Sequence, residues 1–222
     1  FLVERHPDSG RNQYENGRTL LRAYGLTNDR QMLAGATEAF EKAVELPNAR
    51  PHLAIAAALI LAIERDEQDA VDYYTHKAAN HPSLGTVGGV FFEVVKCQMS
   101  PRCKKKSPEQ VFRIAGALLG KEDLPTAEQQ TVRRALAVYY LNGLGEVDHA
   151  LEMLHALYEE NPSDPAITWQ YADALSFRGE ARLATRVVSR LLKEKPWYFP
   201  LQERLIYVKL RSLLSTETVT SQ

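Results

Sequence analysis

The chain has 222 residues, 45% of them hydrophobic and 25% charged, a composition typical of folded globular proteins rather than disordered chains. Its 27 basic and 28 acidic residues leave a net charge of -1, so it lacks the basic excess that nucleic-acid-binding proteins usually show. Two cysteines are too few for a disulfide-dense secreted fold, and no apolar run approaches the ~18 residues of a membrane span.

The first residues read as the end of one segment followed by the start of a helix. Pro7 cannot continue a helix, and Asp8 or Ser9 can cap the helix that follows. The chain begins with Phe1 and shows no signal-peptide pattern, so we expect it to be a fragment of a longer protein. A targeting signal, a membrane anchor or a catalytic domain would then belong to the remainder of that protein.

Prolines mark an internal repeat, since Pro162 and Pro196 are 34 residues apart. Before each of these prolines, and before Pro82, an alanine lies 12 residues upstream and a large side chain lies eight residues upstream. These pairs are Ala70 and Tyr74, Ala150 and Leu154, and Ala184 and Val188. Positions four apart share a helix face, so the small residue favours close approach of two helices and the proline ends the second one.

This pattern resembles the tetratricopeptide repeat, a helix–turn–helix unit with a period of 34 residues. Further matches are Leu61, Leu141 and Leu175 in first helices, and Gly17, Leu20, Ala36, Phe40 and Ala43 in a divergent N-terminal unit. The resemblance implies an all-α solenoid of such hairpins with a C-terminal capping helix, forming one domain over residues 1–222. The expected segments are a divergent repeat (8–50), a repeat (51–84), a degenerate hairpin with an inserted loop (85–125), two repeats (131–164 and 165–198) and a capping helix (199–214).

Two local expectations concern the irregular hairpins. Gly17 and Ala36 are further apart than in the family pattern, so we expect a longer loop between the first two helices, with Gly25, Asn28 and Asp29 as its turn residues. In the middle segment, Ser107 is expected to cap a helix, with Gln110 at the capping-box position.

Cys97 and Cys103 bracket a polar, proline-containing loop. They can form a disulfide in an oxidising compartment or remain free thiols in a reducing one, and the sequence favours neither. The basic cluster that follows, Arg102 with residues 104–106, fits either a solvated loop or a contact with acidic lipid or an acidic partner.

The chain carries none of the sequence motifs of P-loop nucleotide-binding proteins, zinc proteases or serine hydrolases. His76 and His81 are five residues apart, and His149 and His155 are six apart, so neither pair shares a helix face as metal ligands would. We therefore expect no catalytic residue, no metal site and no cofactor.

In tetratricopeptide arrays the first helices of the repeats line a concave groove, so the resemblance implies that the residues of these helices that face the groove contact a partner. These residues are Arg11, Tyr14, Arg18, Arg22, Tyr139, Asn142, Trp169 and Asp173. Arginines pair with carboxylates and aromatic rings supply rigid contact area. In the alternative interpretation, the arginines form a solvated stripe and the aromatic residues pack between helices. The apolar equivalents Ile55, Leu59 and Ile63 are either a binding floor or covered by another element.

The expected function is that of a non-catalytic protein–protein interaction scaffold that binds a partner peptide or protein, and no nucleic acid, through its concave face. The alternative is a soluble appendage of a larger membrane-anchored enzyme, such as a glycosyltransferase or polymer ligase, that recruits a partner or an acceptor. We favour a periplasmic or other extracytoplasmic location over a cytoplasmic one.

Overall fold

The fold is all-α in the computed structural model, which describes residues 8–46, 50–81, 86–101, 103, 105–197, 202, 205, 208 and 209. These residues contain ten α-helices longer than one turn and no β-strand. The helices are α1 (Gly10–Thr27), α2 (Arg30–Glu45), α3 (Pro51–Arg65), α4 (Gln68–Ala79), α5 (Thr86–Met99), α6 (Pro108–Leu119), α7 (Thr126–Tyr139), α8 (Val147–Glu160), α9 (Pro165–Phe177) and α10 (Ala181–Glu194). The predicted fold class, an all-α helical-repeat solenoid, is confirmed.

Two helices begin at side chains that cap their first N–H groups. The side chain of Ser9 accepts a hydrogen bond from the N–H of Asn12 at 3.4 Å, which caps α1 as predicted. Asp164 caps α9 by accepting from the N–H groups of Ala166 and Ile167 at 2.7 and 3.1 Å, and Pro165 occupies the first helical position. These contacts satisfy N–H groups that have no partner within the helix.

The first hairpin has a long helix instead of the long loop expected from the sequence. α1 continues to Thr27, and only two residues separate it from α2. Asn28 takes a left-handed conformation with φ 55° and donates its N–H to the carbonyl of Tyr24 at 2.8 Å, while the Asp29 side chain caps α2. The expectation of a longer loop was wrong because the additional residues, Gly25 among them, extend the helix.

The capping box predicted at the start of α6 is also wrong, because the N–H of Ser107 has a different acceptor from the one expected. Ser107 precedes α6, but its N–H donates to the side-chain oxygen of Gln98 at 3.0 Å. Gln110 instead donates from its amide to Gln68 at 2.7 Å. A residue of the preceding helix therefore does what the local pattern assigned to Gln110.

By its internal contacts the chain divides into two compact units, Phe1–Val132 and Arg133–Gln222. In the first unit, α1 packs on α2, α2 on α3, and α3 on both α4 and α5. The largest fully buried side chains of this unit are Phe40, Phe91, Ile55, Leu59, Leu61, Ile63, Ile114 and Leu118. The division of each unit into repeats remains a prediction.

The second unit has its own core between α8, α9 and α10. Its most deeply buried large side chains are Leu154, Leu157, Ile167 and Leu175. A π-helical turn, Tyr140–Leu144, follows α7 and ends at Gly145 with φ 74°. Most of the predicted capping helix (199–214) lies outside the described residues. Of its described positions, Val208 is buried in this core and Leu205 packs against it.

The second unit's tight packing can be tested at the repeated alanines. Ala150 and Ala184 are both 0% exposed within the core, so replacing either with leucine overpacks the helix contact. We expect Ala184→Leu or Ala150→Leu to lower the free energy of unfolding by about 1–3 kcal/mol, measured by urea denaturation. Ala156→Leu is the matched control, since Ala156 is exposed on α8. Unfolding that is unchanged in all three variants would contradict the predicted register.

A second test concerns Gly88, where α5 approaches α7. A Cβ atom at Gly88 would lie 2.5 Å from Cγ2 and 2.7 Å from Cβ of Thr131, and the Gly88 N–H donates to Glu128 at 2.6 Å. We expect Gly88→Ala to destabilise the protein by about 1–3 kcal/mol despite alanine's higher helix propensity. In the control, Gly116→Ala, the new methyl group meets no atom within 4 Å and is expected to stabilise α6. Equal unfolding curves for both variants would contradict this contact.

Candidate partner-binding site

The predicted residues of α1 form a mixed aromatic and basic surface. Tyr14 is half-buried and its ring packs on Phe40, with 5.8 Å between ring centroids. The guanidinium of Arg18 lies 5.8 Å from the centroid of the Tyr14 ring, a cation–π contact. Its nitrogen also lies 3.1 Å from Glu15. The Tyr14 ring thus packs on the core residue Phe40 and is also contacted by Arg18.

Arg11 and Arg22 extend the basic character of α1 in both directions. Both residues are exposed, and the Arg18 side chain is 42% exposed despite its contacts. The structure therefore places Arg11, Arg18 and Arg22 where solvent or a partner can reach their guanidinium groups. Steps of seven and four residues keep these side chains near one side of the helix.

Charged residues of α1, of α5 and of the chain just before α3 act on the Tyr14 hydroxyl. Burial raises the pKa of the Tyr14 hydroxyl, Arg18 lowers it and Glu15 raises it; weaker effects come from Glu93, which raises it, and Arg50, which lowers it. Glu93 belongs to α5 and Arg50 directly precedes α3. The starts or outer faces of α1, α3 and α5 thus contribute to one electrostatic environment.

Sequence reasoning missed Phe92, which is 40% exposed on α5. On the same helix, the exposed Lys96 and the half-buried Glu93 form an ion pair at 3.8 Å. The apolar spacing of α5 contains the signal: Val90, Phe91 and Val94 share the buried face, and Phe92 falls outside it. An exposed aromatic ring beside charges has the chemistry of a partner contact.

The apolar stripe of α3 is covered. Ile55 and Leu59 are 0% exposed and Ile63 is 1% exposed. Of the two alternatives, a binding floor and a covered surface, the structure favours the second. These residues contribute to the core and leave the contacts with a partner to the polar and aromatic side chains around them.

In the second unit, the predicted residues divide between core and surface. Tyr139 is 2% exposed, and burial raises the pKa of its hydroxyl. Its ring therefore packs inside the protein, as the alternative interpretation has it.

Asn142 is exposed on the π-helical turn. Trp169 and Asp173 are half-buried, and the indole N–H of Trp169 donates to the Asp173 carboxylate at 3.0 Å. This bond fixes both side chains on one side of α9.

The inserted loop after α5 is pinned at its base. Cys97 and Cys103 are disulfide-bonded, with their Cα atoms 5.6 Å apart, a separation within the range of protein disulfides. Lys105 pairs with Asp66 at 2.5 Å, and the ammonium of Lys106 donates to the carbonyl of Ser100. Arg102 and residue 104 lie outside the described residues. The described lysines of the basic cluster thus contact the protein itself.

One group of side chains has the spacing of metal ligands. Glu64, Cys97 and Cys103 place ligand atoms within 4.8 Å of one another. Because the two sulfurs are bonded to each other, neither is a thiolate, and thiolate is the form of cysteine that binds metals. With the disulfide formed, Glu64 is the one residue of this group that can supply a metal ligand, and a single carboxylate does not make a metal site.

The histidines considered as ligands have local partners. His149 lies 2.7 Å from Glu146 and His155 lies 3.8 Å from Glu159, and both histidines are more than half exposed. His76 is exposed and contacts Asn80 one turn further along α4. Each of these contacts lies within a few residues of sequence, as expected of a solvated helix surface.

The sequence comparison agrees with the helical pairs. A family described as Tetratricopeptide repeat matches residues 115–196, which cover α7 to α10 and the end of α6. Neither a curated protein nor a solved structure shows significant similarity to the chain. Repeats of this family typically serve protein interaction. Among the described residues, no helix combines the length and the apolar character that crossing a bilayer requires.

The disulfide gives a direct chemical prediction. Thiol titration of unfolded, unreduced protein from an oxidising compartment should detect no free cysteine, and titration after reduction should detect Cys97 and Cys103. The short loop between them implies a stabilisation of about 2 kcal/mol, which the Cys97→Ser and Cys103→Ser double variant should lose in urea denaturation. Two free thiols in the unreduced protein would contradict the bond.

Proposed function

We propose that the chain is a non-catalytic scaffold that binds a peptide segment of a partner protein through its concave face, which the first helices of the repeats would line. The tetratricopeptide repeat match supports the general role in protein interaction. The observation that supports the choice of α1 as part of the binding face is its combination of accessible arginines with the Tyr14 ring, which packs on the core.

Tyr14 and Arg18 are suited to binding a partner because contacts within the protein already restrict their side-chain conformations. Packing on Phe40 restrains the Tyr14 ring, and Glu15 and the ring both restrain Arg18. Restrained side chains lose less conformational entropy when a partner arrives. Arg11 and Arg22 add accessible charge for carboxylates.

The chemistry of this face favours a peptide with acidic groups followed by apolar side chains. Arginine forms bidentate hydrogen bonds with carboxylates, and the exposed ring of Phe92 offers an apolar contact in the same unit. In the second unit, Trp169 and Asp173 form a separate candidate contact. If the chain is the appendage of a membrane-anchored enzyme, the same faces would recruit its partner or acceptor.

The test uses the double variant Arg18→Ala, Arg22→Ala and a fluorescent peptide with glutamates before leucines. We expect the double variant to weaken binding about tenfold, since it removes two charge-assisted contacts that are partly screened by solvent. Binding by the unmodified protein should also weaken as salt is raised from about 0.05 to 0.5 M. Fluorescence anisotropy measures both effects.

A matched control removes the same number of arginines from a different helix. Arg186 and Arg190 are exposed and one turn apart on α10, as Arg18 and Arg22 are on α1. The control double variant Arg186→Ala, Arg190→Ala should bind like the unmodified protein, and both double variants should keep its thermal melting curve. Equal binding by the two double variants would contradict the proposed face.

A further inference from the structure

The first unit contains a second surface with a different charge preference, at a groove between α2 and α4. The groove encloses a cavity of about 650 Å³ whose wall includes Asp8, Glu41, Glu45, Tyr73 and Lys77. A smaller cavity of about 410 Å³ shares Glu45, Tyr73 and Lys77 with it. Cavities of this size are typical of sites that enclose a side chain or a small ligand.

Two side-chain bridges build the groove. The hydroxyl of Tyr74, a buried residue of α4, donates to Oε1 of Glu41 on α2 at 2.9 Å. One turn further along both helices, the ammonium of Lys77 pairs with Glu45. Burial and the carboxylate of Glu41 both raise the pKa of Tyr74, so its hydroxyl remains a donor at neutral pH. The position of Glu41 is therefore set before any ligand arrives.

Among the described residues, the cavity wall holds more carboxylates than ammonium groups. Lys77 is engaged by Glu45, and Lys42 pairs at 2.7 Å with Glu38, which lies outside the cavity. Within the described part of the chain, Asp8 and Glu41 form no ion pair. Glu41 thus has one oxygen occupied by a neutral hydroxyl and a second that can accept from a cation.

Tyr73 supplies an exposed aromatic surface next to these carboxylates. Its side chain is 55% exposed, and its ring meets that of Tyr74 edge-on at 5.1 Å. The ammonium of Lys77 lies 5.6 Å from the Tyr73 centroid, so the ring already has a cation near it. A planar guanidinium can stack on such a ring while it donates two hydrogen bonds to a carboxylate.

We propose that this groove binds an arginine side chain of a partner peptide, with Glu41 and Asp8 as acceptors and Tyr73 as the stacking surface. The apolar part of the wall, which includes Val44 and Leu46, would contact an apolar neighbour of that arginine. This site is independent of the proposed acidic-peptide face on α1, since the two take ligands of opposite charge.

The first experiment compares two fluorescent peptides on the full chain by anisotropy. One has a single arginine between two leucines, and the other has glutamine in place of the arginine. We expect the arginine peptide to bind about tenfold more tightly, because only the guanidinium forms charge-assisted hydrogen bonds with the carboxylates. Equal affinities for the two peptides would overturn the proposal.

The second experiment uses matched carboxylate variants. Glu41→Gln keeps an acceptor for Tyr74 but removes the charge, so it should lose most of the preference for arginine. Glu152→Gln makes the same change at an exposed position of α8, away from the cavity wall, and should keep the preference. Tyr73→Leu should weaken the arginine peptide about threefold, since the ring is lost and the apolar area remains. Arginine preference that survives in Glu41→Gln would overturn the proposal.

Other occupants have distinct outcomes. If sedimentation shows that the chain self-associates and Glu41→Gln makes it monomeric, the groove holds a second copy of the chain. If the arginine peptide binds only after residues 1–7 are removed, a segment of the same chain competes for the groove. Either outcome would overturn a partner peptide as the occupant. Failure here leaves the α1 face untouched, because that face is tested with an acidic peptide and different variants.

Discussion

The close approach of neighbouring helices at small residues is the constraint on which the other features depend. Ala36, Ala150 and Ala184 are all 0% exposed, and at Gly88 even a methyl group would meet Thr131 at 2.5 Å. Helices that approach so closely exclude water from the facing side and direct larger side chains to their flanks. The tyrosine and arginine side chains of the candidate surfaces lie on those flanks.

The helical hairpins could be predicted because their signals are local and periodic. A 34-residue spacing of prolines and the alanines before them identified the second helices of three hairpins. Contacts between distant residues left no such signal. Gln98, rather than Gln110, accepts from the N–H of Ser107, since the choice depends on how α5 packs beside α6. The helix α1 ends later than the family spacing predicts, at Asn28, which takes a left-handed conformation.

Exposure of the candidate residues was predictable for charges and unpredictable for aromatic rings. Arginine carries a charge that is costly to bury, so Arg11 and Arg22 are exposed wherever the helix lies. A tyrosine can bury its ring and leave its hydroxyl at the edge, so its position depends on neighbours from other helices. Tyr139 is buried and Tyr73 is exposed for this reason.

The net charge of -1 conceals a separation of charge within the first unit. Three arginines lie along one side of α1, while two carboxylates in the wall of the groove between α2 and α4, those of Asp8 and Glu41, form no ion pair within the described part of the chain. Such a separation carries an electrostatic cost, because like charges repel when they share a surface. Side-chain contacts offset part of it: Glu15 lies beside Arg18, and the Tyr74 hydroxyl donates to Glu41. Both contacts leave the charge accessible, since a neutral hydroxyl cannot cancel a carboxylate and one carboxylate cannot cancel three arginines. A unit that restrains charged side chains without neutralising all of them has surfaces suited to charged ligands, and the two proposed surfaces would select ligands of opposite charge.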